Sequence, residues 1–233
     1  MNDTYENYSQ VDQEGPGNFD LGDVIERSKA LVAGSKRYGV YLFLTIMGIL
    51  LATGFVTTLL FVTDPTTFRT GPWWWDVATS AFATALVAML TTSFGLHRAQ
   101  NSQLSYSALF KFIDKLWPYL ALTFPAALLT VLADGSGSWL VRIGVSVVVF
   151  PVAYAPYFMI DRGLEPLGAL ERAYALVFAN LGQFLLLMLL SVALSVVVVI
   201  TLGIGLIWVG PFFMIAQAVI YDEAVGIRGE YRS

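Results

Sequence analysis

The chain lacks cysteine and has a single histidine, His97, among its 233 residues. The absence of cysteine excludes disulfide bonds, thiolate metal sites, iron–sulfur clusters and cysteine nucleophiles. One histidine is too few for a histidine-cluster metal site or for a bis-histidine haem within one chain. We therefore expect no cofactor, no metal and no catalytic centre. This composition is typical of a non-enzymatic protein.

Charged residues are also scarce. They make up 13% of the chain, whereas hydrophobic residues make up 57% and the mean hydropathy is +0.68. Ordinary soluble domains carry roughly 25% charged residues. So much apolar surface needs surroundings that are themselves apolar, which predicts an integral membrane protein. The net charge of −4 gives no case for binding nucleic acid.

Long uncharged segments predict six transmembrane helices. A helix rises about 1.5 Å per residue, so about 20 apolar residues cross a hydrocarbon core of roughly 30 Å. The uncharged stretch 173–221 is too long for one crossing, and Gly203 and Gly205 allow the chain to reverse there. The predicted spans are 38–63, 77–96, 116–133, 139–160, 181–202 and 204–221.

The basic residues predict the orientation. If the six spans alternate in direction, only Arg69 and Arg142 of the thirteen Lys and Arg residues lie on one side. Because basic residues concentrate in cytoplasmic segments, both chain termini are expected in the cytoplasm.

The fold class predicted is all-α, with six transmembrane helices arranged as three hairpins, each preceded by an amphipathic interfacial helix. The membrane domain covers 19–226, in units of about 20–97, 104–160 and 164–222. An acidic tail at 1–18, expected to be disordered, and a short tail at 227–233 flank it, both in the cytoplasm.

Each of the three amphipathic helices has a predicted apolar face. In the first, which Asp20 is expected to cap, Leu21, Val24 and Ser28 share a face. That face lies either on the membrane surface or against cytoplasmic loops. In the second, the apolar face contains Leu109, Phe112, Ile113 and Leu116. In the third, the shared face is expected to contain Leu164, Leu167, Leu170, Tyr174 and Val177.

Three tryptophans, Trp73, Trp74 and Trp75, stand in a predicted loop at 64–76. Tryptophan beside a span is typical of an anchor at the headgroup interface. The alternative is an aromatic box that binds a ligand. In both cases these residues are candidate contacts with lipid or with a partner.

The predicted spans contain few side chains that could bind a solute or take part in a reaction. Gln217 is the most deeply embedded strongly polar side chain, and an interhelical hydrogen bond is favoured over a substrate contact. Pro156 and Pro211 are helix-breaking residues that either kink the packing or line a cavity. Asp161 and Arg172 belong to a predicted cytoplasmic charge cluster, used for structural pairing or for docking a partner.

Several short motifs carry a family resemblance. The chain resembles a broad group of prokaryotic six-helix membrane proteins of unknown function, similar to the membrane domain attached to some glycerophosphoryl diester phosphodiesterases. The resemblance implies an architecture in a prokaryotic plasma (inner) membrane and no reaction, because the soluble phosphodiesterase domain is absent. The motifs are Phe19-Asp20-Leu21-Gly22, Pro166-x-x-Ala169-Leu170-x-Arg172-Ala173-Tyr174, Asn180-x-Gly182, Leu202-Gly203-Ile204-Gly205-Leu206, Pro211 and Ala216-x-Ala218-x-x-Tyr221.

Three functions remain open on this evidence. The first is a scaffold or accessory subunit that binds another membrane protein or a second copy, or that organises lipids of the bilayer. The second is a transporter or channel for an apolar or amphipathic solute. An intramembrane enzyme is the third, and it would need a partner or cofactor to supply chemistry that this chain lacks.

Overall fold

The computed structural model describes residues 16–34, 36–61, 72–100, 113–201 and 205–227, and these ranges contain helices but no strand. Residues 1–15 of the predicted acidic tail, most of the second amphipathic segment and residues 228–233 lie outside them. Two short 3-10 segments, Ile113–Lys115 and Phe150–Tyr154, accompany the α-helices. The helices are α1 (Leu21–Ala33), α2 (Lys36–Phe61), α3 (Trp73–Ala99), α4 (Leu116–Gly135), α5 (Trp139–Val149), α6 (Ala155–Asp161), α7 (Pro166–Ala179), α8 (Leu181–Ile200) and α9 (Leu206–Val225).

Five helical stretches in the described part of the chain are long and apolar enough to cross a membrane. They are Gly39–Val56, Trp73–Ala99, Ile113–Gly135, Trp139–Asp161 and Leu181–Ile200. The sixth predicted span corresponds to α9, which is not among the five and which carries Asp222 and Glu223 in its last turn. The all-helical character is therefore confirmed in the described part of the chain, and its five apolar helices are compatible with a multi-pass membrane protein. The number six remains a prediction.

The larger of two buried clusters lies at one end of the bundle. Leu42 near the start of α2, Phe94 near the end of α3, Phe184 near the start of α8 and Ile220 near the end of α9 all belong to one cluster. Since the buried positions alternate between helix starts and helix ends, successive spans run antiparallel. We call this the closed end, and the opposite end, where α5 has no buried residue, the open end.

Small residues allow the central helices to approach closely. Ala81, Ala83 and Ala85 of α3 are buried, and α3 packs along α4 and against α9. Gly95 marks a close contact between α3 and α9, because an added Cβ would lie 2.8 Å from the Cβ of Ala218 in α9. This is how membrane helices commonly associate, since lipid gives no hydrophobic drive between them.

The fourth predicted span is not one regular helix. It consists of α5, the 3-10 segment Phe150–Tyr154 and α6. Pro151 stands in the 3-10 segment and lacks the N–H that a regular helix would use. The proline therefore changes the helix type in the middle of the span, and the chain continues in the same direction far enough to cross a membrane.

The predicted face of the third amphipathic helix is wrong in part. In α7 the buried residues are Ala169, Ala173, Leu176 and Val177, whereas Leu167 is 77% exposed. The stripe of alanines packs against the bundle because small side chains permit a close approach, a preference that a count of large apolar residues does not reveal.

Candidate functional site

The strongest polar cluster lies at the closed end, where α1 crosses the end of α9. Arg27 of α1 hydrogen-bonds to the carboxylate of Asp222 and donates to the carbonyl of Ala99 at 3.2 Å. Its guanidinium also lies 3.8 Å from Glu223. Asp222 in turn accepts from the backbone N–H of Ile227 at 3.1 Å. One arginine thus joins α1, α3 and α9.

Burial raises the pKa of the Glu223 carboxyl above its usual value. Arg27 lowers that pKa, and the neighbouring carboxylates of Asp23, Asp222 and Asp20 add to the rise. Arg27 is shared, and its shorter contact goes to Asp222. Glu223 is therefore the weaker partner of this arginine.

The predicted cap at Asp20 is confirmed. Its carboxylate accepts from the backbone N–H groups of Gly22 at 2.6 Å and Asp23 at 3.3 Å, at the first turn of α1. The apolar face predicted for α1 packs on the bundle, where Val24 and Ser28 are buried. Val24 and Ser28 therefore pack against the protein and do not lie on the membrane surface, which was the other alternative for this face.

The residues just before α1 are held by Asn180, which lies between α7 and α8. The Asn180 side chain accepts from the N–H of Phe19 at 3.3 Å and donates to the carbonyl of Gly17 at 3.1 Å. The N–H of Gly17 also donates to the carbonyl of Ala224 at 2.7 Å, and the ring of Phe19 contacts Phe184 edge-to-face. The distant motifs around Phe19 and Asn180 therefore meet in space.

A second polar group lies at the same end of the bundle. The hydroxyl of Tyr221 donates to Asp161 at 2.8 Å, and Asp161 also pairs with Arg162 at 3.1 Å. Arg162 donates further to the carbonyl oxygens of Val225 and Gly226. Asp161 is thus an internal link between the ends of α6 and α9, and its burial leaves little surface for a partner.

The remaining predicted residues are placed as follows. Pro156 and Pro211 are buried inside the bundle, and Pro211 packs on Gly39, whose added Cβ would lie 3.0 Å from the proline ring. Gln217 is half-buried, and no hydrogen bond joins it to a residue in the described ranges. Arg172 is half-buried and engaged in an interaction, as is His97, which is buried.

The three tryptophans are not in a loop. They form the first turn of α3, directly after Pro72, whose fixed φ suits the start of a helix. Trp73 is 64% exposed and Trp74 is 52% exposed, and the Trp74 and Trp75 rings make an edge-to-face contact. Their exposure at the open end suits an anchor at a headgroup interface.

A groove of about 680 Å³ runs between α2 and α3 beside these tryptophans. Its volume falls within the roughly 300–1,000 Å³ typical of ligand sites. Sequence reasoning placed a possible cavity among the proline-containing helices, and this groove lies elsewhere. Its lining includes Leu50, Thr53 and Gly54 of α2 and Asp76, Thr79, Ser80, Thr84 and Val87 of α3.

Hydroxyl and carboxylate oxygens make one wall of the groove rich in acceptors. The Thr53 hydroxyl donates to the carbonyl of Ile49 at 2.8 Å, and the Thr79 hydroxyl donates to that of Trp75 at 2.8 Å. Because the Thr79 hydrogen is used within its own helix, the lone pairs of the Thr79 oxygen can accept from a ligand. Asp76 has no ion-pair partner within the described ranges, whereas Asp134 at the same end pairs with Arg142.

The described residues contain no group of three or more His, Asp or Glu side chains that suits a metal ion. Three comparisons with known proteins found no matching family model, curated protein or solved structure.

Proposed function

We propose that this chain is a non-enzymatic membrane scaffold or accessory subunit of a prokaryotic plasma membrane. It spans the bilayer six times, with 204–221 as the sixth span, and its closed end lies in the cytosol. It binds a second membrane protein, or another copy of itself, through helices that its own bundle leaves uncovered. The resemblance to six-helix prokaryotic membrane proteins supports the architecture.

The observation that carries this proposal is the isolation of α8. Only 11% of its spanning window is buried, the lowest share among the five candidate spans. Phe184 and Leu187 in its first two turns are its buried residues, and beyond them it projects as a single apolar helix ending at Ile200. A partner helix would pack beside α8 where its own bundle does not.

The closed end supports the same proposal. Hydrogen bonds of Arg27, Asp161 and Asn180 hold separate parts of the chain together there. A closed end held by these bonds, with the apolar helix α8 extending from it, is an arrangement suited to binding another membrane protein.

The absence of cysteine permits a direct test. A single Val199→Cys variant, on the exposed end of α8, is modified in native membranes with a thiol-reactive photo-crosslinker. We expect a discrete protein adduct, identified by mass spectrometry as a second copy or as another membrane protein. Val147→Cys on α5, also an exposed valine of the open end, is the matched control. Adducts with lipid alone at both positions would refute the proposal.

A second candidate, movement of an amphipathic solute, is favoured by one observation, the groove between α2 and α3. Residues of two spanning helices, α2 and α3, line it, so a solute would enter it from the bilayer. Proteoliposome flux of a fluorescent amphiphile tests this candidate. Gly54→Leu, which fills the groove, should abolish the flux, and Gly48→Leu on the same helix, outside the groove lining, should preserve it. Equal flux in both variants would reject a route through the groove.

A further inference from the structure

We infer that the groove between α2 and α3 is a binding site for one chain of a lipid whose head group carries an ammonium cation. The inference deepens the second candidate function and rests on the same groove. Binding does not require transport, however, so the two are tested separately.

The length of the groove suits one lipid leaflet. Its lining along α3 runs from Asp76 to Ala88, which is about 18 Å of helix. Half of a hydrocarbon core of roughly 30 Å is about 15 Å. An acyl chain that begins at Asp76 therefore reaches about the bilayer midplane at the far end of the groove.

The order of the lining side chains gives the direction of the ligand. Asp76 lies in the first turn of α3, next to the exposed tryptophans that mark the interface. Thr79, Ser80 and Thr84 follow within two turns, and the deeper lining is apolar, with Val87 and Leu50. The head group thus belongs at Asp76, and the hydrocarbon chain belongs in the deeper part.

The polar side chains at the Asp76 end of the groove determine which lipid head group would bind there. The Asp76 carboxylate, and the Thr79 hydroxyl oxygen whose hydrogen is already donated, accept hydrogen bonds and favour positive charge. An ammonium group supplies three donors and one positive charge, and a charge-assisted hydrogen bond is about twice as strong as a neutral one. An anionic head group would instead be repelled by Asp76.

Asp76 also has a simpler role, since an acidic residue in the first turn stabilises a helix through the helix dipole. That role predicts an effect on stability and none on the choice of lipid. The test must therefore read lipid preference.

The probes are two diazirine lipids with the same acyl chain, one with an ethanolamine head group and one with a glycerol head group in its place. The protein is incorporated in nanodiscs, irradiated and mapped by mass spectrometry. We expect the ethanolamine lipid to label the groove about tenfold more than the glycerol lipid. This ratio corresponds to about 1.4 kcal/mol, close to the lower end of the range of about 1.5–3 kcal/mol for hydrogen bonds to charged groups.

Two variants separate the parts of the inference. Gly54→Leu should remove the groove labelling, because the space around Gly54 is open and a leucine would fill it. Gly48→Leu meets equally open space outside the groove lining and should leave the labelling unchanged. Asp76→Asn should bring the two probes to equal labelling. A thermal unfolding measurement on each variant confirms that the fold is kept.

Groove labelling that persists in Gly54→Leu would show ordinary boundary lipid and overturn the site. A preference for ethanolamine that survives Asp76→Asn would overturn the head-group assignment. Labelling that responds as expected while proteoliposome flux is absent would uphold the lipid site and reject transport.

Discussion

Gly95 is the position where the packing of the bundle is most easily tested. An added Cβ would lie 2.8 Å from the Cβ of Ala218 and 2.9 Å from the carbonyl oxygen of Met214. Neither atom belongs to a flexible side chain, so α3 and α9 must move apart to admit a methyl group. Gly95→Ala therefore tests whether these two helices are held as closely as the structure indicates.

The magnitude follows from two opposing effects. Overpacking a close contact costs typically 1–3 kcal/mol, and two rigid contacts place Gly95 in the upper part of that range. Replacing glycine by alanine within a helix regains about 1 kcal/mol. The net loss in the free energy of unfolding is therefore about 1–2 kcal/mol, or roughly 2–8 °C in Tm for a chain of this size.

The assay is thermal unfolding in mild detergent, followed by fluorescence-detected size exclusion. Gly48→Ala is the matched control, because an added Cβ at Gly48 has no heavy atom within 4 Å. We expect Gly48→Ala to keep or raise Tm and Gly95→Ala to lower it. Adding Ala218→Gly to Gly95→Ala should restore part of the loss. Equal Tm changes for the two alanine variants would refute the packing of α3 on α9.

Three further predictions concern the closed end. Asp222→Asn should lower the free energy of unfolding by about 1–2 kcal/mol, because it weakens the bond to the partly exposed Arg27. Glu223→Gln should not lower Tm. A loss of Tm in Glu223→Gln but not in Asp222→Asn would contradict the assignment of Asp222 as the main partner of Arg27. Since the pKa of Glu223 is raised in the folded protein, ionisation of Glu223 disfavours the fold. The Tm of Glu223→Gln relative to the wild type should therefore rise as the pH increases above about 4.5 and level off beyond the raised pKa. A higher Tm of Glu223→Gln confined to lower pH would contradict a raised pKa. Asn180→Ala should release the backbone around Phe19, seen as faster amide hydrogen exchange there, and unchanged exchange would show that Asn180 does not hold this segment.

The main architecture can be predicted from the sequence because placing a charged side chain in hydrocarbon has a high free-energy cost. Uncharged runs of about 20 residues therefore predict the spans, and Asp20 ahead of an apolar stripe predicts the start of α1. Both patterns are local and need no knowledge of how the helices pack.

The groove and the links at the closed end depend on contacts between distant residues. Nothing near Asn180 in the sequence indicates that it binds Gly17, and nothing near Arg27 indicates Asp222. The groove lining combines Gly54 and Asp76, which lie on separate helices, and the gap between these helices is set by packing elsewhere. The proline and the glycine that precede the tryptophans predict a loop, although proline also starts helices.

The measurement that tests the account most directly is the accessibility of single cysteines in intact cells, using a maleimide that does not cross the plasma membrane. Ser136→Cys lies at the open end and Glu165→Cys at the closed end, both at exposed positions. The account predicts that the cysteine at 136 is labelled in intact cells and that the cysteine at 165 is labelled only after the membrane is permeabilised. Labelling at 165 but not at 136 in intact cells, or equal labelling of both, would contradict it.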